Sequence, residues 1–149
     1  MSAAAKRVLG DDPVQEDLMP ALTSVVDQGW FELDGAYLLK AWHESYYGPR
    51  QDVKSYEFAV NGRGIPDLDI EEAGDARAKR LLARGIVFAR AALRRARADI
   101  PRAEIAAEVS AAPVLTDPDR ITGYVTFWTV RPDDWPAVDP GAEDMVVRL

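Results

Sequence analysis

The chain contains no cysteine, and that absence closes several lines of chemistry at once. Disulfide scaffolds, thiolate nucleophiles and zinc sites built on sulfur are all excluded. Histidine is nearly absent too. His43 is the only one in 149 residues, so zinc or non-haem iron sites that need two or three imidazoles are excluded as well. A carboxylate-only site for Mg²⁺ or Ca²⁺ stays formally open. Carboxylates gather at Asp67, Asp69, Glu71 and Glu72, and again at Asp133, Asp134, Asp139, Glu143 and Asp144. Neither group has the EF-hand ligand pattern, and the first suits a helix N-terminus. The expectation is no metal and no cofactor.

Long apolar runs are also missing. No segment approaches the ~20 apolar residues of a membrane span, and the start MSAAAKRVLGDDP lacks the apolar core of a signal peptide. The reading is a soluble, cytoplasmic protein with no membrane partner. The formal charge of −7 argues against nucleic acid, whose phosphates require clustered cations. That total conceals an asymmetry: residues 77–102 carry a local +8 and the rest of the chain −15. Two very different surfaces are expected.

The length suits a single domain over residues 1–149, with 1–11 and about 132–149 as flexible or irregular ends. Asp12-Pro13-Val14-Gln15 has the form of a capped helix start, and apolar residues at Val14, Leu18, Leu22, Val25 and Val26 continue to Gly29. Pro20 implies a kink, or a helix that begins only there. Tyr37, Leu38, Ala41, Trp42, Ser45 and Tyr46 then share one helical face, with Asp34 as a cap and Gly48-Pro49 as a stop. VKSYEFAV (53–60) alternates like a strand closed by an Asn61-Gly62 turn, and 63–70 reads as an extended connection.

The clearest signal follows. From about Glu71 to Ala98 an amphipathic helix places Ala78, Leu81, Leu82, Gly85, Phe88, Ala89, Ala92, Leu93 and Ala96 on its core face. Arg77, Arg80, Arg84, Arg90, Arg94, Arg95 and Arg97 fill the opposite arc, Asp69 and Glu72 form a capping box, and Pro101 ends the helix. RITGYVTFWTVR (120–131) is a strand. Ile105, Ala107 and Val109 alternate before it, so 103–112 makes a hairpin through Thr116–Asp119, although its alanines also permit a helix. The tail from Pro132 holds Trp135 and ends in MVVRL, a short final strand in one reading. The fold class is α+β, in the order α-α-β-α-β-β with that optional strand.

The stretch 31–50 surrounds His43 with Glu44, Tyr46, Tyr47 and Arg50 and invites an active-site reading. A dyad of His43 with Glu44 fails, because adjacent residues point about 100° apart on a helix and to opposite faces on a strand. Asn61-Gly62-Arg63-Gly64 lacks the spacing of a phosphate loop. No catalytic constellation emerges. The leading expectation is a small acidic protein without catalytic activity that acts through protein contacts, in an accessory, regulatory or toxin-neutralising role. Arg77, Arg80, Arg84, Arg94 and Arg95 are its candidate partner-binding residues, with Arg84 and Arg94 both exposed. The alternative is a small-ligand domain or enzyme with a pocket beneath the helices, using His43, Tyr47 and Arg50. Oligomeric state has no signature in the sequence.

The helix periodicity carries the first test. Phe88 faces the core, so Phe88→Ala should lower unfolding free energy by about 3–5 kcal/mol in urea titrations. A variant that unfolds like the parent would show that the face is misassigned.

Overall fold

A computed structural model of the protein describes residues 1–11, 15–132, 140–141 and 143–149. These form the helices and strands α1 (Ala3–Leu9), α2 (Pro20–Gln28), β1 (Trp30–Leu33), β2 (Ala36–Leu39), α3 (Lys40–Glu44), α4 (Val53–Val60), β3 (Gly62–Gly64), α5 (Gly74–Asp99), β4 (Ile105–Val114), β5 (Asp117–Thr129) and β6 (Met145–Arg148). The class is α+β, with more and shorter elements before α5 than the sequence pattern suggested. The helix start expected at Asp12-Pro13-Val14, Trp135 of the tail and most of the second carboxylate group lie outside the described residues.

A four-stranded antiparallel sheet, ordered β3-β5-β4-β6, carries the molecule. Alternation along β4 and β5 turns Ala107, Val109, Ala111, Ile121, Val125 and Phe127 to one face, where α5 covers them. The strand reading of 103–112 is therefore the correct one, and the expected hairpin forms with Leu115-Thr116 at its tip. Helix and sheet approach closely because two glycines permit it. A Cβ on Gly85 would stand 2.4 Å from Val109 Cγ1, and one on Gly123 would stand 3.2 Å from Leu81. Every core position expected on α5 is buried except the half-buried Leu93.

The helix expected across 37–46 is a correction. Trp30–Leu33 and Ala36–Leu39 instead pair as a hairpin around Asp34-Gly35, whose φ values of 48° and 83° match a type I′ turn. Asp34 thus serves the turn rather than a helix cap. The chain turns helical only at Lys40, so the apolar spacing straddles a strand and a short helix. The strand expected over 53–60 is a second correction. Asp52 accepts the Ser55 amide at 2.9 Å and caps α4, which buries Tyr56, Glu57 and Val60 at helical spacing. Asp69 does not cap α5 either: Ala73 occupies that position without a side-chain bond.

The amino end is not irregular. Ser2 caps α1, and its backbone and hydroxyl both bond to Val146, which ties this helix to β6. In α2 the helix begins at Pro20, as the proline allowed, and ends at Gly29. One core joins all these parts. At its centre Trp30, Trp42, Phe88 and Phe127 pack with ring centroids 5.5–6.2 Å apart, and the Trp30 indole donates to Ala92 O at 3.0 Å.

Helix α4 joins the small hairpin to the sheet through Glu57, which is 0% exposed. Burial alone would push its pKa up. The Arg131 guanidinium at 2.7 and 2.9 Å, with the amides of Tyr37 and Thr129, outweighs that and holds the carboxyl below the usual glutamate range. A depressed folded pKa means that this contribution is complete above the ordinary 4.5 and is lost as pH falls through the folded value. Glu57→Gln should cost about 3 kcal/mol at pH 7 and should flatten the acid limb of stability against pH. An unchanged acid limb in denaturation series from pH 7 to 3 would assign that limb to other carboxylates.

Candidate functional site

Two features compete for the role of functional site: the arginines of α5 and the surroundings of His43. The arginines divide along the helix. Arg77, Arg80 and Arg84 turn toward the segment 65–73, which folds back over them. Arg77 donates to Ile121 O and Ile70 O, both at 2.7 Å, and pairs with Asp67. Arg80 bonds Glu72 at 3.1 Å and lies 3.7 Å from Glu16.

Arg84 goes furthest inside. Its side chain is 2% exposed, against the expectation that it lies open on the outer arc. Nη1 and Nη2 grip Asp69 as a fork, both at 2.8 Å, while Nη1 also reaches Pro66 O and Nη2 reaches Glu16. That fork lowers the Asp69 pKa to about 2. The Nε of Arg84 is buried with no hydrogen-bond partner among the described residues. The expectation failed because nothing local announces that 65–73 returns across the helix.

The second half of α5 behaves otherwise. Arg95 pairs with Asp99 at 2.8 Å. Arg90, Arg94 and Arg97 are exposed and have no ion-pair or hydrogen-bond partner among the described residues. At about 100° per residue these three fall within an arc of roughly 60° and span about 10 Å of helix. They form one cationic stripe on a helix whose opposite side is anchored in the core.

The residues of the alternative site are only partly brought together. His43 is half-buried between Phe31 and Tyr56, with ring centroids 5.1 and 6.5 Å away. Arg50 stands over the same Tyr56 ring at 5.2 Å and pairs with Asp34 at 2.5 Å. Tyr47 is 94% exposed. His43 borders a shallow depression shared with Trp30, Phe31, Lys40, Arg95 and Asp99. Among the described residues, no group of three or more acidic or imidazole side chains could hold a metal ion, and no helix is long and apolar enough to cross a membrane.

The polar residues that sequence reasoning missed are Glu57 and Asn61. Asn61 accepts from Leu39 N at 3.0 Å and donates to Tyr37 O at 2.8 Å, which satisfies the open edge of β2. Their i, i+4 spacing was visible, but only a helical reading of 53–60 gives it meaning. No family model matches the chain, and neither a curated protein nor a solved structure matches it.

The contrast between arginines is measurable. Arg84→Ala strands buried partners and should cost about 2–4 kcal/mol, short of a fully buried pair because Asp69 is half-exposed. Arg94→Ala should change stability by no more than about 0.5 kcal/mol. Equal effects in chemical denaturation would contradict the division of the arginine face.

Proposed function

We propose that the protein is a non-catalytic cytoplasmic binding domain acting through protein contacts, of the accessory or toxin-neutralising type. The observation that carries this reading is the stripe of Arg90, Arg94 and Arg97, exposed on a firmly packed helix while neighbouring arginines are engaged internally. Of the residues first expected to bind, Arg94 belongs to the stripe, whereas Arg77, Arg80, Arg84 and Arg95 are paired with carboxylates of this chain. A partner for the stripe presents clustered carboxylates at helical or strand spacing. Nucleic acid fits less well, because the −15 carried elsewhere repels phosphate within a Debye length of about 8 Å.

The second reading, a small-ligand domain or enzyme at His43, Tyr47 and Arg50, draws on the depression beside His43. Against it stand the outward Tyr47 and the engagement of Arg50 by Asp34.

The experiment is to recover partners on a tagged chain from native lysate, identify them by mass spectrometry and measure association. Arg90→Glu with Arg94→Glu should leave the melting temperature nearly unchanged and slow association strongly, most of all at low salt. Partner binding indifferent to both changes would reduce the stripe to solvated charge. Tight, sequence-insensitive DNA binding at physiological salt would make it a nucleic-acid surface. If the partner screen reveals a turnover reaction, a folded His43→Ala variant that loses it a hundredfold, roughly 2.7 kcal/mol, would favour the enzyme reading.

A further inference from the structure

Arg84 is withdrawn from water, yet what it grips is a surface loop. It holds Pro66 O at 2.6 Å and both carboxylate oxygens of Asp69 at 2.8 Å. Arg77 holds Ile70 O at 2.7 Å and pairs with Asp67. Four of the five residues from Pro66 to Ile70 are therefore clamped by guanidinium groups. The fifth is Leu68, in the middle, and its side chain is 100% exposed.

A single exposed leucine is ordinary and needs no explanation. A leucine fixed at the apex of a clamped loop is different. Desolvating a guanidinium is unfavourable, and exposed loop tips are commonly left mobile. Here the order that a binding loop usually acquires on association already exists in the unbound fold.

The surroundings supply the sign of the partner. A groove beside Leu68, between this loop and the start of β5, is lined by Asp67, Glu72, Asp117 and Asp119 with Arg77 and Arg120. Arg77 is occupied by Asp67 and Glu72 by Arg80, so the carboxylates of Asp117 and Asp119 outnumber the one remaining cation, Arg120. A second fully exposed leucine, Leu115, stands at the tip of the hairpin that bears Asp117.

We propose that Leu68 is a preformed anchor for a basic protein partner. The leucine enters an apolar socket, and Asp117 and Asp119 meet lysine or arginine on its rim. This surface is separate from the arginine stripe and opposite to it in sign.

The test places a photoreactive benzoylphenylalanine at position 68, with the same group at exposed Tyr47 as control, in the full chain in native lysate. The expected result is one dominant adduct at 68 that is absent at 47, formed with a protein of net positive charge. Once that protein is purified, Leu68→Ala should weaken its Kd roughly 10- to 100-fold, the equivalent of one leucine buried on binding, with an unchanged melting temperature. Asp117→Lys with Asp119→Lys should weaken it further, chiefly at low salt. The absence of an adduct selective for position 68 would overturn the proposal. So would an adduct with nucleic acid, an acidic protein or a second copy of this chain, or a Leu68→Ala affinity within twofold of the parent.

Discussion

The fold turns on a carboxylate that no water reaches. Glu57 accepts from the Tyr37 amide of the small hairpin, from the Thr129 amide and hydroxyl of the main sheet, and from Arg131. A two-stranded hairpin is marginal by itself, and β1–β2 has a free edge that would otherwise present unsatisfied backbone groups. Glu57 on α4 and Asn61 at its C-cap, one turn apart, supply those bonds, so the hairpin is held beside the sheet without being a strand of it. Trp30, from the hairpin, and Trp42, from the helix that follows it, can then pack on Phe88 and Phe127. The aromatic core and the ionic joint support each other. Breaking either leaves the other without its partner.

Charge is used in two ways along one helix. Near the start of α5, guanidinium groups act as multipoint clamps, because a planar fork can satisfy a carboxylate and backbone carbonyls together. Such pairs contribute position more dependably than net stability, since each desolvated ion offsets much of its own Coulomb gain. Farther along, Arg90, Arg94 and Arg97 remain in water, where they contribute little to folding and chiefly shape the electrostatic field outside the protein. The same residue type therefore clamps a loop at one end and forms an exposed cationic stripe at the other.

What local pattern could determine, it did. A long helix with a continuous apolar stripe has one solution, and α5 buries the positions that its period marks. The alternation of β4 and β5 likewise marked their buried face and their pairing as a hairpin, although the alanines of β4 also permitted a helix. The segment from 30 to 60 was misread because its elements are four to eight residues long, too short for a period to declare itself. Asp34-Gly35 carries a hairpin signal, but the apolar spacing of 37–46 runs across the boundary between β2 and α3. Asp52 can cap a helix, but the alternation of Tyr56, Phe58 and Val60 within α4 imitates a strand.

The sequence by itself therefore determined the α+β class, the main helix and its core face, the central hairpin, and the exclusion of thiolate and multi-histidine chemistry. The tertiary structure alone decided which arginines are available to a partner, why a glutamate can be buried, and where a leucine stands clear of the surface. The physical reason is range. Periodicity and capping act between residues a few positions apart, whereas Arg84 meets Asp69 across 15 residues and Glu57 meets Arg131 across 74. A charge has no preferred depth in a sequence. Its depth is set by whichever distant segment folds across it.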